Sequence, residues 1–306
     1  MQSSSDRTPR PRDVRTDASG SWTGSSCRDA KEAGAVATLD RDAGPGEGAA
    51  GEVTMPVSAL AEGRPLSHVA MLFGNETEVL ADEFQIAGFE RFSTVDWPGK
   101  LVATLFAQGC PWQCSYCHNA SMQDSQVAGV VEWSTVLAHL AHRVGQLDGV
   151  VFSGGEPTRQ AALMVAMQQV KSLGFGVGMH SAGAYPARLR EALGFVDWLG
   201  LDIKAMPEGY QDVTGKGAAG PKAWQSLEIA LEWGGDLEVR LTVDPTTHTR
   251  ESVLSVIKRV RAMGGPTPVL QEARAEGTSE EFQRALGRQR LTDVLTASDL
   301  EGVVVR

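Results

Sequence analysis

Aromatic residues make up only 6% of this 306-residue chain, with three tyrosines, and cysteine occurs four times. Four cysteines are too few to staple a fold with disulfides, so stability must come from an apolar core. Basic residues are also scarce, 28 Lys and Arg against 38 Asp and Glu, for a formal net charge of −10. That balance leaves no electrostatic footprint for a nucleic-acid backbone. No apolar run approaches the length of a membrane span, and residues 1–13 lack the apolar stretch of a secretory signal. Neither a Walker-type phosphate loop nor a Ser-His-Asp nucleophile signature occurs. With 42% hydrophobic and 22% charged residues, the composition is that of a soluble globular protein. The expectation is a cytoplasmic chain without nucleic-acid or membrane partners.

Residues 1–53 differ from the rest. Seventeen of them are Gly, Ser or Pro, and only Val14, Val36, Leu39 and Val53 belong to the Leu, Ile, Val and Phe set. Such a segment cannot bury enough apolar surface to offset its ordering entropy, so it reads as a disordered low-complexity tail. A regulatory tail, or translation from Met55 or Met71, are the alternatives. Residues 54–83 read as an extension, 84–272 as the folded domain and 273–306 as a helical segment without assigned chemistry.

Within 84–272, short apolar runs alternate with helical patterns. Strands are expected at 101–106, 149–153, 175–180, 197–202, 237–243 and 266–271. Helices are expected at 134–147, 159–174, 186–194, 221–235 and 250–265, with a last one at 278–295. Alternation of this kind implies a parallel sheet with helices outside it. Six strands fit a partial barrel or an open doubly wound sheet, and periodicity does not separate the two. Both folds carry their chemistry in loops just past the carboxyl ends of strands.

Three loops meet that condition. The first holds Cys110, Cys114 and Cys117 within eight residues, followed by His118. Three thiolates on one loop can ligate three corners of an iron–sulfur cube, leaving one iron open to a reactant. Zinc held by the three cysteines and His118 is a rival, but Cys117 and His118 are adjacent and reach one tetrahedral ion with difficulty. Covalent haem on Cys114-Ser115-Tyr116-Cys117-His118 is another, though it leaves Cys110 unexplained. The second loop is Gly154-Gly155-Glu156-Pro157, where bare backbone can approach a polar ligand closely and Glu156 either accepts from an ammonium or fixes the loop. The third is Asp202-Ile203-Lys204. His139 and His142, at helical spacing, read as a metal pair or a solvated face. His248 is a loop histidine within reach of the site, and Met164 and Met167 read as core filling.

Together these residues resemble the radical S-adenosylmethionine (SAM) enzymes: Cys110, Cys114, Tyr116 and Cys117 match the C-x-x-x-C-x-aromatic-C signature, with the Gly-Gly-Glu-Pro loop after the next strand. Within that family the chain is similar to activating proteins of glycyl radical enzymes, and among them to the anaerobic ribonucleoside-triphosphate reductase activating group. Residues 92–100 (Phe-Ser-Thr-Val-Asp-Trp-Pro-Gly-Lys), Cys117-His118-Asn119-Ala120 and Asp202-Ile203-Lys204 carry this finer likeness. The resemblance implies an α/β fold, a partial (β/α)6 barrel, with a [4Fe–4S] cluster on Cys110, Cys114 and Cys117 and SAM on its open iron. It implies reductive SAM cleavage to a 5′-deoxyadenosyl radical that takes hydrogen from a glycine of a partner glycyl radical enzyme. The expected partners are the anaerobic ribonucleotide reductase catalytic subunit and a flavodoxin- or ferredoxin-type electron donor. Two alternatives remain: radical chemistry on a small nucleoside- or pterin-like metabolite, and a non-enzymatic zinc module.

By the same resemblance Tyr116 lies against adenine, and Gly154, Gly155 and Glu156 hold the methionine ammonium. Asp202 and Lys204 face SAM and the incoming glycine, and Arg240 takes the methionine carboxylate. Where the family usually has Asp-Thr-Asn-Gly, this chain has His180-Ser181-Ala182-Gly183. His180 is then expected to replace the ribose-binding carboxylate or to tune a proton transfer, against the alternative of a packed histidine.

Overall fold

The computed structural model describes residues 79–306. The expectations for residues 1–53, and for 54–83 as far as residue 78, lie outside the described residues. Seven strands form one sheet in chain order: β1 (Ile86–Ser93), β2 (Val102–Ala107), β3 (Gly149–Gly154), β4 (Gly176–Ser181), β5 (Trp198–Asp202), β6 (Asp236–Val243) and β7 (Val269–Glu272). β1 pairs antiparallel with β2, and β2 through β7 are parallel. The connecting helices are α1 (Trp133–Ala141), α2 (Leu163–Ser172), α3 (Pro186–Ala192), α4 (Tyr210–Thr214), α5 (Ala219–Trp233) and α6 (Arg250–Ala262). The last two, α7 (Glu280–Leu286) and α8 (Leu291–Val294), follow β7.

Sequential strand order settles the architecture that periodicity left open. A doubly wound sheet reverses direction at a switch point; this one never does, and β1 and β7 remain at opposite edges. The result is a partial (β/α)6 barrel with one added antiparallel edge strand. Residues 304–306 run along the β7 edge, with Leu270 N donating to the Val304 carbonyl and Arg306 N to that of Leu270, each at 2.9 Å.

Each parallel strand has two different faces. Val150, Phe152, Val177, Met179, Leu199, Leu201, Val239 and Leu241 are buried in the main core with the helices. The alternating residues turn the other way: Ser153, His180, Asp202, Arg240 and Thr242 line the barrel interior. Register thus puts polar groups inside strands that read as continuous apolar runs.

The floor of the interior is apolar. Trp97, from the loop between β1 and β2, stacks on Trp198 with ring centroids 5.7 Å apart, and the pair joins Val102 and Val151 in a small separate core. A Cβ at Gly178 would come within 2.9 Å of the Trp97 ring, so a glycine is needed for the indole to enter.

Several boundaries differ from expectation. α1 stops at Ala141 rather than near 147, and the chain turns through Gly145 at φ 75°. α2 begins at Leu163 rather than 159, because Pro157–Arg159 forms a 3-10 turn capped by the Glu156 carboxylate. The C-terminal stretch breaks at Gly287, φ 54°, into α7 and α8. β1 has no counterpart among the expected strands.

Candidate active site

The carboxyl ends of the parallel strands surround a cavity of about 1130 Å³. Cys110, Cys114, Cys117 and Tyr116 line it, as do Gly154, Gly155, His180, Asp202, Lys204 and Arg240. Of the site residues named from the sequence, Glu156 alone is missing from its wall.

The cysteine loop has neither helix nor strand and is tied down by backbone bonds. Gly109 N donates to Met122 O at 2.7 Å, Cys110 N to Gln123 O at 3.0 Å and Gln113 N to Thr214 O at 3.0 Å. Trp112, 4% exposed, packs edge-on against Tyr210. Burial pushes the Cys110 thiol up to about 12. Burial also raises Cys114, against the opposing charge of Lys204. Metal uptake by these thiols must therefore release protons.

Among the described residues, no three His, Cys, Asp or Glu groups converge on a single-ion site. His118 is exposed, with Nδ1 2.6 Å from the Glu276 carbonyl. The placement of His118 disfavours zinc held by three cysteines and that histidine. A cuboid cluster presents separate irons to separate thiolates and needs no such convergence, so three cavity-lining cysteines fit it. The Tyr116 hydroxyl is buried without a hydrogen-bond partner, an orphaned polar atom beside the loop that a bound ligand can satisfy.

Glu156 lies behind the cavity wall. It is fully buried and serves as the knot between two loops. Its Oε1 accepts from Thr158 N at 3.1 Å, Thr158 Oγ1 at 2.6 Å and Ser181 Oγ at 2.9 Å. Its Oε2 accepts from Ala182 N at 2.8 Å. With both oxygens engaged by the two loops, the carboxylate fixes the loop, one of the two roles open to it from the sequence. What faces the cavity is the bare backbone of Gly154 and Gly155; a Cβ at either would lie within 2.4 Å of the backbone of Ala107 or Gly109.

The geometry of His180 is that of the packed histidine among the readings open to it. Its Nδ1 lies 3.0 Å from Ser153 Oγ and its Nε2 2.7 Å from the Asp96 carbonyl. A carbonyl only accepts, so Nε2 carries the proton and Nδ1 accepts from the serine. No ring nitrogen is left for a ribose hydroxyl. Burial, with Arg240 adding repulsion, lowers its pKa to about 4, which removes it from proton transfer near neutrality. The sign of the pH effect follows. The unfolded chain takes up a proton near the ordinary histidine pKa of about 6.5, whereas the folded chain does so only near 4. Stability is therefore complete above about pH 6.5 and falls as pH drops toward 4, by on the order of 3 kcal/mol. Urea midpoints of wild type and His180→Gln between pH 7 and 4.5 check this: the wild type should lose more stability than the variant, and parallel curves would refute it.

Asp202 and Lys204 form an ion pair, Oδ2 to Nζ 2.9 Å, at the end of β5. Burial alone would raise the Asp202 carboxyl, but Lys204 and Arg240 bring it below its ordinary value. Burial alone would lower Lys204, but Asp202 raises it well above. The pair is thus a fixed zwitterion, with Nζ 5.6 Å from the centre of the Tyr116 ring. Arg240 lies over Trp198 and bonds Glu238 at 2.7 Å, and Glu238 is also gripped by Arg306 at 2.9 Å.

The C-terminal segment was assigned no chemistry, yet Arg274, Glu276, Arg290 and Arg306 line the cavity. Arg290 pairs with Glu272 at 3.3 Å. Arg274 and Glu276 directly follow β7, where the strand-end rule could have found them, whereas Arg290 and Arg306 carry no local signal and reach the cavity only as the chain folds back toward β7. The His139 and His142 rings bond separate backbone carbonyls, of Arg91 and Ala138. Met167 is fully buried in the core and Met164 packs against it. No described helix is long and apolar enough to cross a membrane.

A profile described as the radical SAM superfamily matches residues 104–271. A protein of Methanocaldococcus jannaschii, provisionally named a glycyl-radical enzyme activating enzyme, is 25% identical over 58% of this chain and 75% of its own. The pyruvate formate-lyase-activating enzyme of Clostridium pasteurianum is 29% identical over 58% of this chain and 77% of its own. Among solved structures, Streptococcus suis SuiB bound to its precursor peptide superposes with a TM-score of 0.45 at 14% identity, covering 56% of this chain and 39% of that longer one.

Proposed function

Because the chain belongs to the radical SAM superfamily, enzymes that use a [4Fe–4S] cluster and SAM, we propose that it activates a glycyl radical enzyme by generating the radical on a glycine of that partner. The observation that carries the reading is the single cavity uniting the three cysteines, the Gly154–Gly155 backbone and the Asp202–Lys204 pair. At about 1130 Å³ it lies at the upper end of the ~300–1,000 Å³ range of small-molecule clefts, as a site that takes SAM against a cluster requires. The activating enzymes among its relatives support the same class. Thr242, Gln271 and Arg274 line the same cavity and offer it further hydrogen-bonding groups.

Cys110, Cys114 and Cys117 would hold the cluster, which, when bound and reduced by an external donor, would pass one electron to SAM and so cleave it reductively. Gly154 and Gly155 present backbone groups to the methionine ammonium, and Glu156 beneath them holds their loop still. Arg240 offers a guanidinium to the methionine carboxylate. Tyr116 supplies a ring and an unpartnered hydroxyl for the adenosine half. Lys204 and Asp202, paired at 2.9 Å, present a cation and a carboxylate side by side to the same cavity. The partner is the anaerobic ribonucleotide reductase catalytic subunit, and the electron comes from a flavodoxin- or ferredoxin-type protein.

The test is anaerobic reconstitution followed by iron and sulfide assay and electron paramagnetic resonance. About four irons and four sulfides per chain are expected, with a reduced spectrum that SAM perturbs. Adding the reductase subunit should then yield a glycyl radical signal together with 5′-deoxyadenosine. Deoxyadenosine released on a metabolite alone, with no protein radical, would overturn the partner reading. Stoichiometric zinc without sulfide would overturn the cluster.

A further inference from the structure

The loop between β6 and α6 contains a buried carboxylate that the proposed chemistry does not use. Asp244 is fully buried and, among the described residues, forms no ion pair. Oδ1 closes a local turn, accepting from Thr246 N at 2.9 Å and Thr246 Oγ1 at 2.7 Å. Oδ2 accepts from Thr247 Oγ1 and, across 129 residues, from Ser115 Oγ, both at 3.1 Å. Ser115 sits between Cys114 and Tyr116. A buried carboxylate without a counter-ion is costly unless its lone pairs are filled, and the local turn leaves Oδ2 with the Thr247 bond alone, which Ser115 supplements from the cysteine loop.

The same node reaches Lys204. Asp244 N donates to His248 Nδ1 at 2.9 Å, which sets the tautomer, and His248 Nε2–H then donates to the Lys204 carbonyl at 2.9 Å. Lys204 N donates in turn to the Tyr210 hydroxyl at 3.0 Å. The backbone of Lys204 is thus held from two sides while its side chain pairs with Asp202.

We propose that Asp244 and His248 are positioning residues that hold the cysteine loop and Lys204 at a fixed separation, and so set cluster retention and SAM affinity. This rests on the cluster-and-SAM reading of the cavity. The mild probe is Ser115→Ala, which removes the cross-link and leaves Asp244 its three bonds within its own loop. In the reconstituted protein, iron loss to a chelator should speed up, and the SAM dissociation constant should rise, each by about tenfold, the ratio expected for one hydrogen bond to a charged group. Ser115→Thr keeps a hydroxyl and should restore both. His248→Leu should weaken SAM binding while iron loss stays near wild type, and His248→Gln, which keeps a donor for the Lys204 carbonyl, should recover the affinity.

Values for Ser115→Ala within twofold of a loaded wild type, or failure of Ser115→Thr to restore them, would overturn the brace alone. A wild-type chain that takes up no iron and sulfide would overturn the cluster reading, and the brace with it. Melting temperature followed in parallel separates positioning from packing: a fall in melting temperature with unchanged iron loss and SAM affinity also overturns it.

Discussion

Cys114→Ala, reconstituted anaerobically, is expected to hold no stable [4Fe–4S] cluster and to cleave SAM no faster than background. Cys114 lines the cavity, and Lys204 and Asp202 are both close enough to act on its thiol. Losing one of three thiolates leaves a second iron without a protein ligand, and the shielded setting of the loop offers no substitute, since His118 is engaged at the exposed rim by Glu276. Iron and sulfide assay with the reduced spectrum measures the first effect, and 5′-deoxyadenosine yield the second. Wild-type cleavage by the variant would end the assignment of this loop as the cluster site. The fold should persist, because the thiol fills little of the core and the loop keeps its backbone anchors at Gln123 and Thr214.

Glu156→Ala is expected to cost about 4 kcal/mol, leaving buried backbone and hydroxyl donors unpaired, and to lower the melting temperature by about 10 °C for a folded region of this size. Two of those donors, Thr158 N and Ala182 N, belong to the loops after β3 and β4, so one substitution unties both. SAM binding should weaken in the same variant because the Gly154–Gly155 backbone loses its support. Glu156→Gln separates this account from direct ligand contact. Its amide keeps one acceptor but sets a donor against Ala182 N, so stability and affinity should fall together, by about half as much. Affinity lost at an unchanged melting temperature would mean that the carboxylate touches the ligand.

The strands were legible because parallel strands covered on both sides read as apolar runs. β1 was not: Ile86–Ser93 carries Gly88, Glu90 and Arg91 on an edge where several positions are exposed. Glu156 was legible as a motif residue but not in its role, since a sequence shows the carboxylate but not the donors of Thr158, Ser181 and Ala182 that consume it. His180 behaved the same way. Its partners, Ser153 and Asp96, lie 27 and 84 residues away, and only their meeting decides which nitrogen holds the proton.

The sequence by itself determined the chemistry that adjacent residues can specify: three thiols within eight positions, two glycines and a glutamate after a strand, an aspartate and lysine two apart at another strand's end. Spacing along a backbone of fixed geometry suffices for those, and so does the alternation that implies a parallel sheet. Periodicity left barrel and doubly wound sheet open, and the motif resemblance already implied the partial barrel that the strand order bears out. The tertiary structure alone decided that Trp97 closes its floor, and that Thr242, Gln271, Arg290 and Arg306 face the same cavity as the cysteines. Those positions depend on strand register and on the return of the chain along β7. A one-residue slip would turn every one of the strand residues to the opposite face.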